Sequence, residues 1–531
     1  MRTLASASLL PALVLSPLAL AQEVRDTPPA PIEIGWQARN RVADPTPVRF
    51  RFGFEQTEIE PDEDFGLLGM HLDFLEPLAG WPGVWLGLGG FTAVDGQRGG
   101  FLAGGLEGGF RYPASESLTL DAGAFFGIGG GRSVPNGDGL MLRQHFGAQY
   151  QLTNRFGLRL EVSNIQFPDG DIGGQQLSLG GSWTMAPWVA RNEVKAGRVF
   201  PAQQQPLSSR MRFTVGFSQL MVSDSSRDTN GAVLDEDIGL ASGRADFFLD
   251  ENWFLGLGAG GALTGDIDGY AQVLAGVGYS VPVGQMMALE AMLSVGGGGG
   301  GGVETGGGLL VSPSLSARVN LDPQVSAGLT VSALSAVDGD FDATGVGLDV
   351  AFSTGLPDYR PAVRGVLLPD QTALSLWVLE VMHRSYLPDD GSVRDNGRKL
   401  GNVNEMGVGL AFPLDPNFEL TAQVFGAYDG VPGNYAEGWL GARYRILFPG
   451  HTSAAQWHLL LAAAGGVAGG GDISNGGGAL WDARAGFGLS VSPTVGLDLT
   501  AGRTAAVDGD FEAWSLQGGL SWRFGLPVTR G

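Results

Sequence analysis

The sequence predicts an all-β chain built as three tandem eight-stranded antiparallel β-barrels that cross a membrane. Three observations carry this: a hexamer that recurs at even intervals, a period-two alternation between its copies, and an apolar strand face with nothing else in the chain to cover it. "AVDGDF" stands at 336–341 and again at 506–511, and "FPDGDI" occupies 167–172 one interval earlier. Other stretches fall into the same register. "FRYPASESL" (110–118), "GYSVPVGQM" (278–286) and "RYRILFPGH" (443–451) each close an alternating run with a turn. "QLTNRFGLRLE" (151–161), "NLDPQVSAGLT" (320–330) and "SVSPTVGLDLT" (490–500) each join two runs across a short polar step. The repeating unit of about 140–150 residues is the size of a domain, too long for a solenoid repeat.

The expected boundaries follow. Arg2, an apolar stretch and Ala19-Leu20-Ala21 read as a secretory signal cleaved after residue 21, with 22–46 an N-terminal linker. Barrel units are expected at 47–185, 210–354 and 374–525, separated by linkers 186–209 and 355–373 and followed by a tail, 526–531.

Within the first unit, Val48, Phe50, Phe52 and Phe54 alternate with Arg49, Arg51, Gly53 and Glu55. Leu102, Leu106, Phe110 and Tyr112 oppose Glu107 and Arg111, and Phe156, Leu158, Leu160 and Val162 oppose Arg155, Gly157, Arg159 and Glu161. Such alternation places one set on each face of a strand. Eight runs result, near 48–57, 65–75, 84–93, 101–112, 117–129, 138–152, 155–164 and 174–185. A soluble sandwich would need a second layer over the apolar face, and the sequence offers no amphipathic helices for it. In lipid the apolar face meets hydrocarbon, closure pairs every backbone group, and the charged face turns inward. Short connections (153–154, 113–116, around 250–252) alternate with expected long loops at 56–64, 221–237, 383–404, 296–302 and 469–478. The outward aromatics Phe110, Tyr279 and Tyr444 share one repeat position before a short turn, as in an interfacial girdle. The same alternation also fits one 24-stranded porin-like ring, or a secreted array of β-sandwiches.

The net charge of −23 disfavours nucleic acid and anionic surfaces as partners, and the absence of cysteine removes disulfides and thiolate metal sites. "GLGAGG" (256–261) has no following helix or basic residue and reads as strand glycine, so no nucleotide or other cofactor is expected. Of the five histidines, His71 and His145 fall on inward faces; His383, His451 and His458 share no repeat position with them, and all read as polar filler. Asp338, Asp340 and Asp342 stand at alternate positions, as at the start of a calcium loop, and Asp508 and Asp510 repeat the first two. These are the metal candidates. The helix, the sixth-position glycine and the closing glutamate of such a loop are missing. A turn in which Asp-Gly supplies positive φ is therefore the preferred reading of the hexamer.

At its end, "QGGLSWRF" (517–524) resembles the C-terminal insertion signal of bacterial outer-membrane β-barrel proteins in Gln517, Gly519, Trp522 and Phe524. "SLGGSWTM" carries it at Ser178, Gly180, Trp183 and Met185, and "GVGLDVAF" keeps Gly347, Val350 and Phe352. Each unit thus ends like a complete small barrel of the eight-stranded type. The resemblance implies an outer-membrane location, contact with outer-membrane lipid, and insertion by the barrel-assembly machinery. It implies no particular activity. The expected role is a non-enzymatic one, structural or surface-interacting through acidic external loops. The porin-like channel is the alternative.

Overall fold

The structure is a computed structural model and describes residues 44–529 with breaks, the longest at 190–209 and 355–371. The expected signal peptide and most of the three expected linkers lie outside the described residues. The first barrel comprises β2 (Val48–Ile59), β3 (Glu63–Phe74), β4 (Val84–Asp95), β5 (Leu102–Pro113), β6 (Leu118–Gly130), β7 (Leu140–Gln151), β8 (Phe156–Gln166) and β9 (Gly173–Met185). A two-residue pair, β1 (Asp44–Pro45) with β10 (Trp188–Val189), brackets it. The second contains β11 (Met211–Val222), β12 (Ile238–Phe248), β13 (Trp253–Thr264), β14 (Ala271–Val283), β15 (Met287–Gly299), β16 (Leu309–Asn320), β17 (Val325–Ala336) and β18 (Asp342–Thr354). The third contains β19 (Thr372–Pro388), β20 (Val403–Pro413), β21 (Phe418–Asp429), β22 (Ala436–Leu447), β23 (Gln456–Gly469), β24 (Ala479–Ser490), β25 (Val495–Ala506) and β26 (Glu512–Thr529).

Each group of eight closes on itself. β2 pairs with β9 (Val48↔Met185), β11 with β18 (Phe213↔Phe352) and β19 with β26 (Trp377↔Phe524), all antiparallel. The 24-stranded ring is thereby excluded. Closure leaves the barrels without an edge strand, so each barrel strand has a hydrogen-bonded neighbour on both sides.

Two expectations about length are corrected. Residues 56–59 and 63–64, expected in a loop, extend β2 and β3, and 383–388 belong to β19. The expected tail is strand as far as Thr529: β26 continues past Phe524 and pairs Leu526 with Ser375 and Thr529 with Thr372. The alternation that defines a strand fades in "GLPVT", so the sequence gives no sign of this extension.

The outward faces form a broad apolar belt. Phe126, Phe146, Leu158, Leu160, Val162, Leu177 and Leu179 are all exposed, as are Leu315, Leu329 and Leu348 in the second barrel and Leu497, Leu499 and Leu516 in the third. Phe110, Tyr279 and Tyr444 point outward near the short-turn end with about half their surface free (51%, 38% and 45%), where a girdle was expected. So much contiguous apolar surface is untenable in water and appropriate in hydrocarbon.

Candidate functional site: filled lumens and their caps

Strand alternation turns the charged residues inward, and there they neutralise one another. In the first barrel Arg49 and Arg51 both donate to Asp73 (2.7 Å each), and Arg51 also reaches Glu107 (2.8 Å). Arg159 clamps Asp121 through two nitrogens (2.5 and 2.6 Å) and donates to Glu161 through Nε (2.8 Å). Arg143 bridges Glu55 (2.8 Å) and Glu161. Trp85 lies under this cluster, with the Arg51 guanidinium 5.1 Å from its ring centre. The second barrel holds Arg212 between Asp246 (2.8 Å) and Glu290 (2.6 Å), with Arg318 on Asp349 (2.7 Å). In the third, Arg443 bridges Glu380 and Glu419 (2.6 Å each), while Glu437 accepts from Arg384, Tyr386, Tyr435 and Trp439 (2.7–2.9 Å). Buried guanidinium groups paired this way satisfy charge and hydrogen bonding together.

Glu107 and Arg111, which share a face of β5, do not pair with each other. Glu107 takes Arg51 and His71 (Nδ1 to Oε1 3.1 Å), while Arg111 sits half-buried near the short-turn rim. Period two gave both residues the same face, but it cannot say which of the seven other strands supplies a partner across the lumen.

In the first barrel the inward residues become apolar toward the lid end: β3 runs Asp73, His71, Gly69, Leu67, Phe65 along a single face. Phe65, Leu67, Phe91, Phe101, Phe125, Phe167 and Ile172 form a buried cluster there, with Phe91 and Phe125 edge to face at 5.4 Å. Equivalent clusters include Tyr270 and Phe341 in the second barrel, and Tyr386, Tyr435 and Phe511 in the third. In the third barrel the lid end keeps two buried carboxylates, Glu405 and Glu437, among its aromatic side chains. A cavity of about 20 Å³, room for roughly one water, lies in the first lumen beside Arg143, Arg159 and Glu161, and another of that size in the third beside Glu380, Arg443 and Arg484.

The recurring hexamer forms the lid of this apolar layer. Ile172, Phe341 and Phe511, which end its three copies, are buried members of the three clusters. The preceding aspartate docks on a second loop in every barrel: the backbone N–H of Asp171 donates to Pro135 O (2.7 Å), Asp340 to Glu304 O (3.0 Å) and Asp510 to Ser474 O (3.0 Å). That second loop reads "PNGDG" (135–139), "ETGGG" (304–308) and "SNGGG" (474–478). Its central glycines, Gly137, Gly306 and Gly476, have φ of +60°, +58° and +63°. The hexamer's own glycines, Gly170, Gly339 and Gly509, are not among the positive-φ residues, which corrects the turn reading. They are required by close approach instead: a Cβ on Gly170 would strike Asn136, on Gly339 Thr305, on Gly509 Asn475, each time at backbone atoms. The docking loop was missed because its three copies share only glycine spacing; the interval that aligns the hexamers aligns it too. Gly339→Ala is accordingly expected to destabilise the second barrel's cap by ~1–3 kcal/mol, seen as faster hydrogen exchange in 300–308 and 337–341.

The calcium candidates do not assemble. Asp338 Oδ2 accepts from the Gly307 N–H (3.0 Å), Asp342 Oδ1 accepts from Ser335 (2.5 Å), and Asp508 and Asp510 lie in the docked lid. Burial, with Asp95 and Glu304 nearby, raises the Asp338 carboxyl above its ordinary value. Among the described residues, one group of three metal-type side chains comes within reach of a common point: Asp121, His145 and Glu161. Both carboxylates are already held by Arg159, so these residues do not fit a cation. His145 and His71 are enclosed as expected. His458 also proves to face inward, near Asp498 (3.5 Å), whereas His383 lies on the outer face with Nε2 2.8 Å from the Tyr428 hydroxyl. His451 lies outside the described residues.

A membrane-facing belt, closure without edges and charged lumens define this chain as a transmembrane β-barrel protein of the outer-membrane type, with three small barrels in one polypeptide. No family model matches the sequence, and no curated protein matches it. Among solved structures it is similar to the siderophore receptor PirA from Pseudomonas aeruginosa (10% identity, 91% of this chain and 81% of that one, TM-score 0.27). It is also similar to OccK2 (OpdF) of the same organism, solved in complex with glucuronate (11% identity, 91% and 98% covered, TM-score 0.25). A de novo designed transmembrane β-barrel matches 28% of this chain over 98% of its own (14% identity, TM-score 0.19). Overlaps this low carry nothing about activity.

Proposed function

We propose that this protein is a non-conducting, non-enzymatic outer-membrane platform that holds acidic loops at the cell surface. The reading is carried by the filling of the lumens: each has buried ion pairs, a cluster of buried apolar and aromatic side chains toward the lid, and a docked lid, the third barrel with Glu405 and Glu437 buried among its aromatics. An ion crossing such a barrel would have to separate paired buried charges and then enter an apolar plug, both at high cost. Of the two longest connections on the lid side, 223–237 carries Asp224, Asp228, Glu236 and Asp237 against the single cation Arg227 and suits a cationic partner at the surface, whereas 389–402 balances its acids with Arg394, Arg398 and Lys399. Planar-bilayer recording of the full protein tests this. Seals that stay silent after verified insertion are expected, and large steady single-channel currents would overturn the reading in favour of a channel.

A further inference from the structure

The three barrels touch one another, and they do so in one repeated way. β4 packs against β15, β13 against β23, and β21 against β6. Counted within their own barrels, these are the third strand of one barrel against the fifth strand of another, three times over: first on second, second on third, third on first. The contacting residues are equivalent as well. Thr92, Gly261 and Gly426 each pair, in the ladder to the fourth strand, with that strand's first residue (Leu102, Ala271, Ala436). Ile128, Gly297 and Val467 each pair with the first residue of the sixth strand (Leu140, Leu309, Ala479). Across the contacts a Cβ on Gly297 would meet Thr92, one on Gly261 would lie 3.5 Å from Val467 Cγ2, and one on Gly426 would lie 3.5 Å from Ile128 Cβ. Every contact therefore matches one glycine with one branched side chain. Thr92 points away from its own lumen yet is only 1% exposed, so the neighbouring barrel covers it.

We infer that the chain is a single-chain pseudo-trimer, in which one heterologous barrel-to-barrel surface is used three times, closes into a ring, and has its cyclic order fixed by one knob-and-glycine pair per contact. A heterologous contact yields a ring when its rotation closes, and here all three copies of each face are occupied, leaving none to recruit a fourth barrel. The opposite order would set Thr92 against Val467, two branched side chains where the backbones approach closely, and Gly426 against Gly297, with no side chain to fill the gap. Crowding and voids are both penalised in close-packed contacts, so the pairs discriminate. The surface fits an eight-stranded barrel presenting the complementary residue at the same height. A second group of contacts reinforces the ring between the second and third barrels: Trp377, outward-facing yet 5% exposed, packs on Phe213 (4.7 Å), Phe352 (5.7 Å) and Phe412 (5.3 Å). The ring turns the fourth strands β5, β14 and β22 toward its centre, where their equivalent outward residues are Leu106, Ala275 and Leu440. The axis thus offers ions no polar path either.

The chain contains no cysteine, so paired substitutions in the full protein report cleanly. Ile128→Cys with Gly426→Cys joins the first barrel to the last, and its 3.5 Å Cβ separation suits a disulfide. Gly261→Cys with Val467→Cys tests a second contact. Both pairs are expected to oxidise in the membrane-inserted protein, giving a compact, reductant-sensitive band on denaturing gels. The exchanged pairs, Ile128→Cys with Gly261→Cys and Gly426→Cys with Val467→Cys, are expected to stay reduced. Where a cysteine at 426 prevents folding, Asp138→Cys and Asp429→Cys, loop and rim residues on the same contact, are joined instead with a short bismaleimide. Failure of both first-to-last pairs to link in protein that keeps its heat-modifiable migration, or equal linking of the exchanged pairs, would overturn the inference.

Discussion

Replacing Arg159 by leucine is expected to destabilise the first barrel by ~3–5 kcal/mol and to leave the other two unaffected. Arg159 is the group that Asp121 and Glu161 share, and both carboxylates are buried in a lumen with little room for water. Arg49 (3.2 Å from Asp121) and Arg143 remain as partial partners, but each is already committed, to Asp73 and Glu55 respectively. The carboxylates left behind must be hydrated or protonated in a space that favours neither. Arg155→Leu provides the contrast. Its side chain is exposed beside the turn between β7 and β8, so a change within about 0.5 kcal/mol is expected. Hydrogen exchange followed by mass spectrometry separates the barrels: for Arg159→Leu, loss of protection should be confined to peptides from 48–185. Equal effects of the two substitutions would mean that the ionic layer is not organised as described.

The second large effect is expected at the lid. Phe511→Ala should cost ~3–5 kcal/mol in the third barrel, because it removes a fully buried ring from between Tyr386 (5.3 Å) and Tyr435 (6.5 Å) and leaves a cavity that β-strands cannot collapse to fill. The lid loop hangs on that ring. Fast exchange should therefore appear first in 470–478 and 507–511, before the strands themselves open. Unchanged protection of those loops would show that the lid is held by its backbone hydrogen bonds alone.

Much of this architecture is legible in the sequence, for a specific physical reason. Strand alternation in a closed barrel is set by the contrast between hydrocarbon and lumen, so "VRFRFGFE" and "RFGLRLEVS" announce both faces without knowledge of their neighbours. All eight runs of the first unit coincide with strands to within a few residues. The repeat was legible through the hexamer because three copies sit at the same place in three barrels. What was not legible depends on contacts across the lumen or between barrels. The partner of Glu107 comes from β2, not from its own strand. The hexamer glycine answers to a loop over 30 residues away in sequence (Gly339 to Thr305), so its cause was assigned to backbone conformation when it is crowding. The apolar layer near the lids was hidden because Phe65, Phe91 and Phe125 continue faces that carry charge or glycine elsewhere, and period two records only which face a residue is on. The knob-and-glycine pairs are single residues in glycine-rich strands, indistinguishable in sequence from the glycines that line the lumen.

Independent closure of each eight-stranded unit is tested most directly by expressing residues 47–185 alone and refolding them in detergent. A compact, heat-modifiable species is expected, with β-rich circular dichroism, because β2 and β9 complete the ring without help from the rest of the chain. A fragment that stays unfolded or aggregates under conditions in which the full protein folds would contradict it.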